Sequence, residues 1–327
     1  GEIDGLLCDE SVFSDVAKLM ELNKEKKFIS AIAYLYDDED KVIPFLEDLN
    51  ATLSNNFLKY EIILVNDCSK DRSTEIVKNW VGKQEKSCVT LLNMSFHQGV
   101  ETAMNAGVDL SIGDFVFEFD SVCVDYKWSL LMDVYYNSLA GYDIVTAHSV
   151  RPQRFTSKLF YSLMNHYAHL EYQLEPETFR ILSRRAINRV HDISETIPYR
   201  KAAYANCGLK LATKSYQPVE NVKFKVPSGR VNLALNSLIF FTDVAFRTAV
   251  GISCLMVLVT IFVAIYALSY YLFEHPVEGW TTTILFLSFS FCCLFIILAM
   301  ILKYLSTLVK MNFLKKTYIF ETIEKIQ

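Results

Sequence analysis

Along the first two-thirds of the chain, short and almost unbroken apolar runs alternate with stretches whose apolar residues recur at helical spacing. The runs are Phe28–Leu35, Tyr60–Val65, Val89–Asn93, Phe115–Phe119 and Ile144–His148. They are too short for buried helices and rich in aromatic and β-branched residues, so they read as strands of a sheet covered on both faces. Between them, Lys41–Leu53, Thr74–Gln84, Gly99–Leu110 and Trp128–Leu139 read as helices. Strands alternating with helices predict an α/β domain with a mostly parallel sheet.

The pattern changes towards the other end. No charged residue occurs in Val250–Phe273 or in Trp280–Leu302. Each stretch is long enough to cross a hydrocarbon core of about 30 Å as a helix. The short acidic linker Glu274–Gly279 makes the pair a helical hairpin. Cations flank it on the other side: Arg230 and Arg247 before, Lys303, Lys310, Lys315 and Lys316 after. The positive-inside rule therefore predicts two spans in the cell membrane, with the loop outside and the α/β domain and both termini cytoplasmic. The expected organisation is an N-terminal arm (1–27, charged, helical and without a signal peptide), the α/β domain (28–225), an interfacial amphipathic segment (226–247), the hairpin (248–303) and a basic helix (304–327) suited to anionic lipid.

Composition adds little beyond this. The hydrophobic content of 52% is concentrated in the hairpin, and a net charge of −5 gives no reason to expect nucleic acid as a partner. Eight cysteines lack any C-x-x-C or zinc spacing and read as reduced, mostly buried thiols. His166 and His169 stand at i and i+3 with no third ligand nearby.

The chemistry gathers at strand ends. Asp37, Asp67 and Asp120 follow the first, second and fourth strands, where an open α/β sheet binds its ligands. Three acids at one sheet edge suit the hydroxyls of a nucleotide, and they suit a cation bridging two phosphates equally well. The absence of G-x-x-x-x-G-K-[ST], and of G-x-G-x-x-G after strand one, argues against a Walker-type NTPase and a classical dinucleotide fold.

Several segments together resemble the family 2 glycosyltransferases of GT-A fold (Rossmann-like, nucleotide-diphospho-sugar transferase), in the polyprenyl-phosphate branch related to dolichyl-phosphate mannose synthase. Tyr36-Asp37-Asp38-Glu39 stands for Y-N-E-E, and Val65-Asn66-Asp67-Cys68-Ser69 with Asp71 for V-D-D-G-S-x-D. Phe96-His97-Gln98-Gly99 with Ala103, Gly107, Gly113 and Asp114 follows the N-x-G…A…G…G-D run. Phe179–Arg185 resembles F-R-L-L-S-R-R. A C-terminal transmembrane hairpin is also typical. Departures accompany these matches. The D-x-D-x-Q-D run reads Asp120-Ser121-Val122-Cys123-Val124-Asp125, and the acid before F-R is Thr178. Tyr34 stands for a proline, and Asn66-Asp67 for D-D.

The resemblance implies an inverting enzyme that moves a sugar from a nucleotide sugar, a uridine diphosphate one, to a membrane polyprenyl phosphate in cell-surface polysaccharide synthesis. It implies Asp120 and Asp125 as catalytic carboxylates, with Tyr36, Asp37, Asp67 and Asp120 on the nucleotide. Asp120 is also the expected ligand of Mg or Mn. The basic residues Arg151, Arg154, Lys158 and Arg180 suit the acceptor phosphate, and Lys223–Arg230 occupies the position of a basic loop over the donor diphosphate. Valine at position 122 offers a hard cation no oxygen, which keeps a second expectation open: a degenerate relative acting as partner or scaffold of an active transferase or flippase. Either a homo-oligomer or a heteromeric membrane partner is compatible with these expectations.

Overall fold

The computed structural model describes residues 23–84, 88–151, 155–167, 171–193, 199–219, 244–274, 279–312 and 320–326. Its centre is β1 (Glu25–Leu35), whose neighbours are β2 (Phe57–Asn66) and β4 (Phe115–Phe119), both parallel to it. Alternate residues of β1 serve opposite cores, as strand geometry requires. Ile29, Ala31, Ala33 and Leu35 pack with α1 (Val42–Asn56), α2 (Ser73–Val81) and α4 (Ser129–Leu139), whereas Ile32 packs with α3 (Val100–Leu110) on the other face. Both faces are covered, which is why these strands read as unbroken apolar runs. Helix α3 lies unusually close to the sheet because Gly107 has no side chain. A Cβ there would come within 2.6 Å of Ile32 Cγ2 and 2.7 Å of Val65 Cγ2.

Among the described residues the sheet has eight strands, in the order β7-β5-β6-β4-β1-β2-β3-β8. The added members are β3 (Val89–Met94), β5 (Ile144–Ser149), β6 (Phe179–Ser183), β7 (Leu211–Tyr216) and β8 (Phe320–Ile326). The β1–β2, β1–β4, β2–β3 and β5–β7 pairs are parallel, and β6 and β8 run against their neighbours. The expected mostly parallel sheet thus holds for its centre, not for the two regions that β6 and β8 enter. Two short helices follow β6, α6 (Arg184–Ile193) and α7 (Arg200–Ala205).

Two expectations need correction. Strand β1 begins at Glu25, inside the expected N-terminal arm, and the rest of that arm up to residue 22 lies outside the described residues. The expected basic helix over 304–327 does not form as one element. Residues 320–326 are a strand, antiparallel to β3 from Val89↔Ile326 to Met94↔Phe320. The segment FETIEKI carries β-favouring Thr322, Ile323 and Ile326, and β3 would otherwise present an unpaired edge.

The chain separates into two compact units. The first holds the sheet, including residues 316–327. The second holds α5 (Phe155–Tyr167) with α8 (Val244–Glu274) and α9 (Trp280–Asn312). Placing α5 in the second unit departs from the expected boundary at 225, and its apolar Phe155 and Leu159 are exposed. Helices α8 and α9 contain windows of 24 and 27 residues long and apolar enough to cross a membrane. Among the described residues their buried positions are small, Ser253, Ala267, Thr281 and Ser288, as close approach of two helices favours. The expected interfacial segment falls almost wholly outside the described residues, as does Lys223–Arg230.

Candidate functional site

The end of β4 carries a buried ionic cluster. Glu118 sits between Phe117 and Phe119 and is fully buried, and its register partner on β6 is Arg180. A charge at such a position must be paired. Arg180 donates to Glu118 at 2.6 Å, to Glu177 at 2.7 Å and to Asp120 at 3.2 Å. Arg200, from α7, donates through Nη2 to Asp120 at 2.6 Å and through Nε to Glu101 at 3.1 Å, and its Nη1 lies 3.0 Å from Glu118. The Tyr204 hydroxyl donates to the other Glu118 oxygen at 3.0 Å. The side chains of Glu118, Arg180 and Arg200 are at most 2% exposed, whereas Asp120 keeps 26%. Asp120 is thus the member of the cluster that can meet a ligand. Desolvation would raise its pKa, but Arg200 and Arg180 outweigh that and hold it below the usual carboxylate range. Burial acts to lower the Arg200 pKa, yet Asp120, Glu118 and Glu101 hold it well above the usual value. Burial and Glu118 keep the Tyr204 phenol protonated as a donor.

The ends of β1 and β2 hold acids in another way. Asp67 is fully buried and accepts from the backbone N–H of Gln98 at 2.7 Å, that of Gly99 at 2.8 Å and the Tyr34 hydroxyl at 2.8 Å. His97 Nδ1 lies 2.9 Å from the same carboxylate. Gly99, at φ 88°, turns the chain so that both amides face Asp67 just before α3 begins. Burial and Asp67 raise the Tyr34 pKa, so it too remains a donor. The Tyr36 ring stacks on His97 at 4.3 Å. Asp37 Oδ1 accepts from the amides of Lys70 at 2.6 Å and Asp71 at 3.3 Å. Asp37 and Cys68 both adopt left-handed backbone, at φ 51° and 61°. Beside these turns lies a cleft of about 440 Å³ lined by Asp37, Asp38, Glu39, Asp40, Lys41, Lys70 and Asp71.

The altered acidic run is packed rather than open. Val122 is 2% exposed and belongs to the same core as Phe119, Tyr126 and Leu130, with Val124 against it. Asp125 is also 2% exposed, accepts from the Tyr216 hydroxyl at 2.7 Å and has Arg151 Nη2 3.4 Å away. Thr178, which replaces the family acid, bonds the same hydroxyl at 2.6 Å. Among the described residues no group of three or more His, Cys, Asp or Glu is arranged to hold a metal ion. Both Asp120 oxygens already accept from guanidinium groups, and Val122 faces the core. Among the described residues, those of this acidic run do not fit a Mg or Mn site.

The expected site residues therefore divide. Asp120 and Arg180 come together, as do Asp125 and Arg151. Arg180 is not the free cation expected for an acceptor phosphate, because it is buried and its donors serve three carboxylates. Asp67, expected on the nucleotide, already accepts from the loop before α3 and from Tyr34. Lys158 lies on α5 in the second unit, and Arg154 falls outside the described residues. Sequence reasoning missed Glu118, Glu101, Arg200 and Tyr204. Glu118 did carry a signal: an acid in the middle of a Phe-rich strand needs a buried cation.

A family model described as "Glycosyl transferase family 2" matches residues 30–208. An uncharacterized glycosyltransferase of Synechocystis, sll0501, is 27% identical over 188 residues, covering 56% of this chain and 58% of the relative. The undecaprenyl-phosphate 4-deoxy-4-formamido-L-arabinose transferase of Pectobacterium atrosepticum is 29% identical over 140 residues, 42% of each chain. Among solved structures, a mannosyltransferase from Pyrobaculum calidifontis in complex with GDP-Man and Mn2+ is 15% identical, with a TM-score of 0.49 over 70% of this chain and 69% of that one. The matches span 58 to 59% of the length of the first curated relatives. With the matched segment covering more than half of its length, this chain belongs to glycosyl transferase family 2.

Proposed function

We propose that this protein is a membrane-anchored inverting glycosyltransferase that moves a sugar from a nucleotide diphosphate, a uridine one, to a polyprenyl phosphate. The observation that carries the reading is Asp120: an ionised carboxylate at the end of β4, fixed by two buried arginines and still 26% exposed. In that role Asp120 orients hydroxyls of the donor, and Asp37 and Tyr36 line the nucleotide side. Asp67 shapes the loop before α3, and Asp125 is a positioning carboxylate that fixes Tyr216 and Arg151. An acceptor phosphate is already anionic at neutral pH, so the site has to supply alignment and charge neutralisation rather than a strong base. Arg151, a quarter exposed beside Asp125, is our assignment for the acceptor phosphate, with Arg154 and Lys158 following it in sequence. The charge of the leaving diphosphate falls to Lys41 and Lys70 on the cleft and to Lys201, which acts on Asp120. No step here runs through a metal.

The membrane placement rests on α8 and α9. Residues 316–327 belong to the same compact unit as the sheet, and β8 pairs with β3. That unit occupies one side of a bilayer only if the chain crosses an even number of times in between, as a two-span hairpin does. The flanking basic residues assign that side to the cytoplasm.

Val122 favours a second reading, a scaffold subunit that keeps the fold without transfer, since its burial removes the second acid from the site. One experiment separates the two. The purified protein is incubated with a panel of nucleotide sugars and undecaprenyl phosphate, and lipid-linked sugar is measured. Transfer from a uridine diphosphate sugar supports the enzyme. Nucleotide binding without transfer across the panel supports the scaffold.

A further inference from the structure

A chain of side-chain hydrogen bonds crosses three strands and ends at the turns beside the cleft. Thr322 Oγ1, on β8, accepts from Asn93 Nδ2 at 3.0 Å, and Glu324 on the same strand lies 3.4 Å from that nitrogen. Asn93 Oδ1, on β3, accepts from Asn66 Nδ2 at 2.9 Å. Asn66 Oδ1, at the end of β2, accepts from the Ser69 amide at 3.0 Å. Ser69 Oγ accepts from the Asp37 amide at 3.1 Å. Each link uses one donor and one acceptor, and both amide side chains serve in two directions at once. This also accounts for asparagine at position 66, where the family has aspartate: a carboxylate could accept from Ser69 but could not donate onward to Asn93.

The two residues at the far end of the ladder need holding. Asp37 and Cys68 are the non-glycine residues with left-handed backbone among those described. Such conformations persist where surrounding contacts over-determine them. The ladder is one such contact set, and its anchor is the strand that follows the apolar hairpin. Glu324 is fixed in turn by Lys78 of α2 at 2.6 Å.

We propose that β8 is a positioning strand for donor binding, in which Thr322 and Asn93 set the Asn66–Ser69 and Asp37 turns through this ladder. The role in donor binding rests on the nucleotide reading above. The variant Thr322→Val keeps the β-branched shape of an edge-strand residue and removes the acceptor. Thr322→Ser keeps the hydroxyl. In the full-length protein, hydrogen exchange at the amides of Ser69 and Asp37 should quicken roughly three- to tenfold in Thr322→Val, the range expected for one lost hydrogen bond, and should match the parent in Thr322→Ser. Affinity for uridine diphosphate, by calorimetry, should fall by a similar factor in Thr322→Val alone. Asn93→Ala, which cuts the ladder from β3, is the second variant and should behave like Thr322→Val. Unchanged exchange in both cutting variants overturns the ladder. Faster exchange with unchanged affinity overturns its role in donor binding. A parent protein that binds no nucleoside diphosphate defeats the nucleotide reading and with it the donor role, and the exchange arm still decides whether β8 holds the turns.

Discussion

The acids at the two ends of the candidate site are neutralised by different means. At β4, Asp120 and Glu118 meet guanidinium groups that arrive from β6 and α7 and are themselves sealed from water. At β1 and β2, Asp37 and Asp67 meet mainly backbone N–H groups of neighbouring turns. The first arrangement is a set of full charges that stabilise one another only while all are present. The second shapes loops, and each carboxylate takes its bonds from groups that would otherwise find water. Truncation should therefore be far more costly at β4 than at β1.

The largest effect is expected from Arg200→Met, which leaves Glu118, Asp120 and Glu101 short of a cation inside the protein. Breaking a buried pair in this way costs about 3–5 kcal/mol, read by chemical unfolding in mild detergent. The loss should also depend on pH. Asp120 has a folded-state pKa below its unfolded value of roughly 4. Its contribution is therefore present above about pH 4 and is lost as pH falls through the lowered folded value. Parent and Arg200→Met stabilities should converge on acidification. A gap that stays constant from pH 7 to pH 3 would show that Asp120 is not the group being stabilised.

Val122→Asp comes next. By family resemblance this change restores a metal-binding acid, but the side chain is buried in the same core as Phe119, Tyr126 and Leu130. Burying a carboxyl there without a partner costs about 3 kcal/mol, and manganese affinity should not improve. A tighter manganese site in a stably folded variant would mean that this loop opens readily.

What could be read in advance follows the same division. The β1, β2, β3 and β4 runs were legible because both of their faces are buried, and so was the position of Asp37, Asp67 and Asp120 at strand ends. The partners were not, because they lie far away in sequence. Arg180 is 60 residues from Asp120 and Arg200 is 80. Strand β6 was hidden by its own Arg180, a charge whose register partner across the sheet, Glu118, lies 62 residues away in sequence. Strand β7 is half-exposed and carries Thr, Lys and Ser, so it lacks the apolar signature. Strand β8 reads as the end of a basic helix because its lysine and isoleucine residues fit either period over so short a stretch.

Asp67→Asn probes the other side of the comparison. One carboxylate oxygen becomes an NH₂ group facing donors from Gln98, Gly99 or Tyr34, and one of those loses its acceptor. The cost should be about 1–3 kcal/mol, below that of Arg200→Met. Nucleotide affinity should fall with it, because the loop before α3 would move. Equal losses for Asp67→Asn and Arg200→Met would erase the contrast between amide-held and arginine-held acids.

Asp37→Asn should give the smallest effect and sharpens the contrast most. The amide bonds from Lys70 and Asp71 end on the same oxygen, Oδ1. An asparagine keeps an oxygen at that position, so both amides retain an acceptor while the charge is lost. Asparagine also tolerates the left-handed backbone at φ 51°. The expected loss is about 0.5–1.5 kcal/mol, the difference between a charge-assisted and a neutral hydrogen bond. Asp37→Ala differs on both counts, since it removes the acceptor and places a residue without a local hydrogen-bonding group in a conformation disfavoured by about 1–2 kcal/mol. Alanine should therefore unfold at clearly lower denaturant concentration than asparagine. If the two variants lose the same stability, the charge of Asp37 matters more than its bonds to the turn, and the β1 end behaves electrostatically like the β4 end after all.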